Sequence, residues 1–168
     1  MKRFMKQWLP SFMIAIIVSL VVRTYIVEAM VVPSGSMIPT IRIHDRIVVE
    51  KVMPVTEIHH GDIIVFYPPV KIEGAKRLVK RLIGMPGDII EIKDGTLYRN
   101  NEKVIEPYVK EPMNYTYGPV SVPENEYFFL GDNRNDSFDS HAWDVPFVER
   151  KDLIGKVILN IPTHYLYQ

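Results

Sequence analysis

The chain has 168 residues, 47% of them hydrophobic, which suits one domain with a buried core and a short appendage. Lysine plus arginine and aspartate plus glutamate each number 20, so the formal net charge is zero, which argues against nucleic acid as a partner. Cysteine is absent, which excludes disulfides, thiolate metal sites and a cysteine nucleophile.

The N-terminal segment is predicted to be a membrane anchor. Residues 8–27 contain Arg23 as their single charge, and a helix of this length crosses a bilayer core of about 30 Å. Basic residues precede this stretch and predict that the N-terminus stays inside the cell. These residues are Lys2, Arg3 and Lys6. We therefore predict a cytoplasmic tail over 1–7, a transmembrane anchor over 8–27 and an extracytoplasmic domain over 28–168.

Two alternatives to an anchor stay open. The small residues Val27 and Ala29 also suit the cleavage site of a signal peptide, which is removed from a mature protein. The other alternative is a buried helix of a soluble domain, although the uncharged run is long for such a helix. A mature protein isolated from membranes with Met30 as its first residue would contradict the anchor.

Short β-prone segments alternate with turns from Val31 onward, which predicts a mainly-β domain. The predicted strands, in chain order, cover residues 46–52, 62–67, 77–83, 88–92, 95–99, 103–105, 126–130 and 153–161. The proline-rich segment 106–124 is predicted to be a loop.

The first candidate site is the loop PSGSMIPT at residues 33–40. Its two prolines restrict the backbone around Ser34 and Ser36. A nucleophilic serine needs such a fixed and exposed position, with a nearby NH or hydroxyl group to hold an oxyanion. Because serine, glycine and proline also cluster in ordinary loops, this motif alone does not establish a catalytic serine.

A catalytic serine needs a base, and the predicted strand at residues 77–83 contains Lys80. Side chains alternate in a strand, so Lys80 shares its face with Leu78 and Leu82. Burial there disfavours the charged amine, and lowering a lysine pKa by about 2–3 corresponds to roughly 3–4 kcal/mol. Arg81 stays protonated and cannot act as a base. The alternative is that Lys80 only extends from a sheet edge into solvent.

A second base is available in GDNRNDSFDSH at residues 131–141, which we call the late polar segment. It follows an apolar strand, and its dense polar side chains suit a loop that orients other groups. Asp139 and His141 would complete a Ser-His-Asp triad with Ser36, so this alternative stays open on the residues alone. A surface turn rich in Asx residues is the structural alternative.

Metal and nucleotide sites are poorly supported. His59 and His60 are adjacent, so in a strand their side chains point in opposite directions. Together with Glu57 and Asp62 they make only a weak candidate metal site. Residues 84–87 lack the spacing and the helix of a phosphate-binding loop. We expect neither a metal nor a nucleotide cofactor.

Taken in order, these segments resemble the type I signal peptidases of bacteria. The resemblance rests on PSGSMIPT, HDRIVVEK, GDIIVFYPP, LVKRLIGMPGD and GDNRNDSFDSH, and it covers nearly the whole chain. Five ordered boxes are specific where each alone is not. The short chain is similar to the compact Gram-positive type, which lacks a large second domain. The resemblance implies a single extracytoplasmic antiparallel β-sheet domain with one N-terminal transmembrane helix.

The resemblance also implies roles for individual residues. Ser36 would be the nucleophile and Lys80 the general base of a serine–lysine dyad. Asp132 would pair with Arg81, which leaves the lysine without a carboxylate partner that would keep it charged. Supporting roles would fall to Ser34 at the oxyanion, Ser137 as the hydrogen-bond partner of the lysine, and Asp139 as the buttress of that loop.

The implied reaction is the removal of signal peptides from exported preproteins at the outer face of the cell membrane, through an acyl-enzyme. The substrate would bind as an extended strand beside the segments before Ser36 and Lys80. Its residue before the cut and the residue two places earlier would be small. The residues expected to line these shallow pockets are Met30, Val32, Leu78 and Val79. The implied partners are the preproteins, the lipid bilayer and the protein export channel.

One position departs from the family pattern. The family usually has arginine where this chain has His141, paired with the aspartate two residues earlier. A histidine pairs strongly with Asp139 only when it is protonated, so we expect the stability of this loop to depend on pH.

Another serine–lysine peptidase, or a non-catalytic membrane-tethered binding protein, is the alternative function.

Overall fold

The computed structural model describes residues 2–21, 26–51, 56–72 and 74–163. Parts of the predicted tail, anchor, strands and extracytoplasmic domain at residues 1, 22–25, 52–55, 73 and 164–168 lie outside these residues. A helix, α1, spans Lys2–Val21, and the first strand begins at Val27. The structure therefore places Val27, the predicted end of the anchor, in a strand. Within the described part of the chain, no helix has the length and apolar character needed to cross a membrane.

The described residues after α1 form antiparallel strands arranged in two sheets. The larger sheet has the strand order β1-β2-β11-β3-β4-β9-β10, and the smaller has the order β7-β6-β5-β8. The strands are β1 (Val27–Val31), β2 (Arg46–Glu50), β3 (Ile63–Phe66), β4 (Leu78–Gly84), β5 (Ile89–Lys93), β6 (Thr96–Arg99), β7 (Glu102–Lys103), β8 (Tyr117–Ser121), β9 (Glu126–Leu130), β10 (Phe147–Glu149) and β11 (Leu153–Ile161). The prediction of a mainly-β, antiparallel fold is confirmed.

The centre of the larger sheet is buried on both faces, where β3, β4 and β9 lie side by side with runs of apolar residues. In β4, Leu78 and Leu82 pack in one hydrophobic cluster, whereas Val79 and Ile83 pack in two others. The alternation predicted for the strand around Lys80 is confirmed. Lys80 therefore lies in a strand whose two faces are both covered by packed apolar side chains.

Three strands lie where none was predicted, namely β1, β8 and β10. β8 falls inside the segment 106–124, which was predicted to be a loop, and β10 has only three residues. Both of these strands lie at sheet edges. Pro119 of β8 has no backbone NH to donate, and an edge strand tolerates this because one of its sides has no partner strand. Gly118 has a φ of +79° and lies so close to β5 that a Cβ would be 2.4 Å from the carbonyl oxygen of Ile90. The Gly-Pro pair therefore indicates a turn by composition, although the backbone pairs as a strand.

Candidate active site

Ser36 lies in the loop after β1, and this loop is fixed from two sides. Met37 and Ile41 are fully buried in a core cluster. From the late polar segment, the backbone NH of Asn133 donates to the carbonyl oxygen of Ser36 over 3.0 Å. Gly131 makes this approach possible, because a Cβ there would lie 2.4 Å from the same oxygen. The loop that contains the predicted nucleophile is therefore packed against the late polar segment.

Lys80 of β4 is buried, with 2% of its surface exposed. Its Nζ donates to the Ser137 hydroxyl oxygen over 2.9 Å, and Ser137 donates in turn to Asp139 over 2.5 Å. Burial lowers the pKa of the Lys80 amine to about 8, although the charges of Asp139 and Asp132 act in the opposite direction. Desolvation is the larger effect, so half of the amine is neutral near pH 8.

Each of these two carboxylates has a basic partner other than Lys80. Arg81 donates to both oxygens of Asp132, over 2.7 and 2.5 Å. Asp139 is fully buried, and its Oδ1 lies 2.7 Å from Nδ1 of His141. Among the ion pairs of the described residues, neither carboxylate is paired with Lys80. This arrangement limits how far the two carboxylates can stabilise the charged form of the amine.

A groove of about 810 Å³ contains Ser36 and Lys80. One wall is the segment from β1 to Ser36, and the other is the segment that enters β4. The Ser34 hydroxyl oxygen lies 3.5 Å from the Ser36 hydroxyl oxygen, at the outer limit of a hydrogen bond. All residues predicted to form substrate pockets line this groove, namely Met30, Val32, Leu78 and Val79.

Both walls of the groove present strand edges that can accept a further strand. β1 is an edge strand of the seven-stranded sheet. β4 pairs with β9 only from Arg81 onward, so in the described part of the chain the earlier residues of β4 have no strand on that side. An extended peptide between the two walls can therefore form backbone hydrogen bonds with each.

His141 is held away from this groove by a second contact. Its ring stacks on the ring of Tyr115, with 3.9 Å between the centroids and 9° between the planes. Among the described residues that line the groove, Ser36 and Lys80 are present and His141 is absent. The geometry therefore favours a serine–lysine pair over a Ser-His-Asp triad.

Comparison with known proteins identifies the family of this chain. The sequence profile of the family described as "Signal peptidase, peptidase S26" matches residues 5–161. The chain belongs to the signal peptidase family. A probable signal peptidase I-2 of Synechocystis sp. is 40% identical over 149 residues, which are 86% of this chain and 67% of that protein. Signal peptidase I of Bacillus licheniformis is 39% identical over 168 residues, which are 92% and 87% of the two chains.

A signal peptidase I from Enterococcus faecalis V583, known from its crystal structure, has 32% sequence identity and a TM-score of 0.49. The match covers 61% of this chain and 97% of that one.

In this member of the signal peptidase family, an ion pair that the sequence did not indicate supports the late polar segment. Arg134 is 2% exposed and donates to both carboxylate oxygens of Glu106, over 2.7 and 2.6 Å. Its Nε also donates to the carbonyl oxygen of Gly131 over 2.9 Å. Glu106 precedes Arg134 by 28 residues in a proline-rich segment, so no local pattern indicates that the two side chains meet.

The residues of the weak metal candidate have other contacts. Nε2 of His60 lies 2.6 Å from Asp88, and Nζ of Lys156 lies 2.8 Å from Asp62. Across the described ranges, no group of three or more histidine, aspartate or glutamate residues is arranged to hold a metal ion.

Replacing Gly131 tests the packing between the loop that contains Ser36 and the late polar segment. In Gly131→Ala the new Cβ would meet the Ser137 hydroxyl oxygen at 2.3 Å and the Ser36 carbonyl oxygen at 2.4 Å, so both loops must move. We expect a destabilisation of about 1–3 kcal/mol and a fall in kcat of about 100-fold. Urea unfolding and turnover of a preprotein substrate measure these effects. Wild-type turnover in Gly131→Ala would contradict the described packing, and Ser121→Ala, a change at an exposed position of β8, is the control.

Proposed function

We propose that this chain is a membrane-bound serine endopeptidase that removes signal peptides from exported preproteins, with Ser36 as nucleophile and Lys80 as general base. Membership of the signal peptidase family supports the reaction class. The observation that supports the two roles is the buried Lys80 amine, which lines the same groove as Ser36 and has a pKa lowered to about 8. A serine hydroxyl needs such a base, because it is a weak nucleophile by itself.

In the acylation step, the neutral Lys80 amine accepts the Ser36 hydroxyl proton while the serine oxygen attacks the scissile carbonyl carbon. The Ser34 hydroxyl and the backbone NH of Ser36 donate hydrogen bonds to the resulting oxyanion. Protonated Lys80 then gives its proton to the leaving amine of the mature protein, and the signal peptide stays on Ser36 as an ester. A water molecule, deprotonated by Lys80, hydrolyses this ester and frees the serine.

Ser137 orients the amine for this step. A serine hydroxyl has one proton, and that of Ser137 is donated to Asp139. The Ser137 oxygen therefore accepts a hydrogen bond from Lys80, which leaves the lone pair of the neutral amine free to accept a proton from Ser36. By the same reasoning, the pairing of Asp132 with Arg81 removes a competing partner for the amine.

The substrate binds in the groove as an extended strand between β1 and the start of β4. Met30, Val32 and Val79 leave shallow apolar pockets on the side of the groove that faces the core. Side chains of alternate residues in an extended strand point to the same side. Small residues immediately before the cut and two places earlier fit these pockets.

We also propose that the apolar segment within residues 8–27 anchors the chain in the membrane, with the tail 1–7 in the cytoplasm and the domain over 28–168 outside. The apolar run and the basic residues before it support this orientation. The anchor holds the groove near the bilayer, where preproteins leave the export channel. Confinement raises the effective concentration of the substrate without tight binding.

A cleavage assay tests the dyad against both the triad and a non-catalytic role. With a preprotein that contains Ala-x-Ala, we expect Ser36→Ala and Lys80→Ala to lower kcat by about 10⁴- to 10⁶-fold, because each removes a group that acts as part of one unit. His141→Arg should retain activity, because arginine can also pair with Asp139. Full activity in Lys80→Ala with loss in His141→Ala would reject the dyad. Equal processing by wild type and Ser36→Ala would reject catalysis at this site.

The absence of cysteine makes the proposed topology directly testable. Single cysteines at Gln7 and at the exposed Lys71 can be probed in intact cells with a membrane-impermeant maleimide. We expect labelling of Lys71→Cys only, with labelling of Gln7→Cys appearing after the cells are lysed. Labelling of Gln7→Cys before lysis, or release of the chain from membranes by alkaline carbonate, would contradict the anchored orientation.

A further inference from the structure

One end of the groove is marked by an ion pair between its two walls. Arg77, the residue before β4, lines the groove, and its NH1 donates to Oε1 of Glu28 in β1 over 2.8 Å. Lys51 Nζ contacts the other oxygen of Glu28 over 3.5 Å. The Arg77 guanidinium lowers the pKa of the Glu28 carboxyl below its usual value. Each side chain of the Arg77–Glu28 pair is about one-third exposed, at 35% and 33%.

The Arg77–Glu28 ion pair lies on the side of the groove that faces the core, where the apolar pockets also lie. Glu28 is two residues before Met30 in β1, so the two side chains share a strand face. Arg77 lies one residue before β4 and two before Val79, and its ion pair with Glu28 places its guanidinium on that same side. Met30 and Val79 pack against the same core cluster, which also contains the fully buried Val65. The floor of the groove, which is the side that faces the core, is therefore apolar at Met30 and Val79. Two residues earlier in each wall, at Glu28 and Arg77, the floor is charged.

The same alternation places a particular substrate residue over the charges. If the first and third residues before the scissile bond face the floor, the fifth is the next to do so. One step of two residues is about 6.6 Å in both the substrate and β1, so the two chains stay in register. With the third residue over Met30 and Val79, the fifth residue faces Arg77.

We propose that Arg77, positioned by Glu28, is a specificity-determining residue that selects against a large apolar side chain at the fifth substrate residue before the scissile bond. This inference rests on the proposed function of the groove. An apolar side chain placed there covers the guanidinium without offering a hydrogen bond, and covering a charge in this way is unfavourable. A polar side chain at the same position leaves the ion pair hydrated or bonded.

The test uses matched preproteins that differ only in having leucine or glutamine at the fifth residue before the cut. We expect the wild type to cleave the glutamine substrate with a kcat/KM about 3- to 10-fold higher, which corresponds to about 0.7–1.4 kcal/mol of transition-state free energy. Arg77→Leu should abolish or reverse this preference. Arg77→Lys should retain it, and Glu28→Gln should weaken it because the guanidinium loses its positioning partner.

Two controls separate this selectivity from general effects. The same leucine–glutamine exchange at the fourth residue, whose side chain points away from the floor, should change kcat/KM less than twofold. Lys71→Leu removes one exposed charge from the neighbouring loop and should keep the wild-type preference. No preference in the wild type, or an unchanged preference in folded Arg77→Leu, would overturn the role of Arg77 while cleavage continued. Failure of the wild type to cleave any of the substrates would instead reject the proposed function.

Discussion

The free energy needed to keep a lysine amine neutral is the constraint on which the proposed active site depends. Lys80 meets it through burial in the centre of the larger sheet, and its pKa falls to about 8 even though two carboxylates act against the change. Those carboxylates are hydrogen-bonded to Arg81 and His141. A carboxylate paired directly with the amine would restore its charge and remove the base.

Holding these charges in place requires the late polar segment to be rigid. Asp139 accepts hydrogen bonds from the backbone NH of Gly131 and the hydroxyl of Ser137, so one carboxylate fixes both ends of the turn. Arg134 links the same turn to Glu106 of the preceding segment. Buried ion pairs of this kind are costly to form, and here they orient the group that binds Lys80.

The sequence was sufficient for the parts of the structure that depend on local pattern. Alternation around Lys80 predicted which side chains share a face. The resemblance to the signal peptidases predicted that Ser36 and Lys80 belong to one site, and in the structure both line the same groove. Contacts between distant segments could not be predicted from the sequence. Nothing near Glu106 indicates an ion pair with Arg134, and the stacking of Tyr115 on His141 depends on how the two sheets pack. The short edge strands β8 and β10 have too few apolar residues for a periodic signal.

The pH dependence of kcat/KM tests the neutral-lysine account most directly, because it reports the ionisation of the essential base in the free enzyme. Below its pKa the Lys80 amine is protonated and cannot accept a proton, so activity should rise with pH through about 8. The rise should be unaffected in His141→Gln. A rise centred near about 6.5, typical of histidine, that disappears in His141→Gln would contradict the account, as would a rise near about 10.4, the value of an unperturbed lysine.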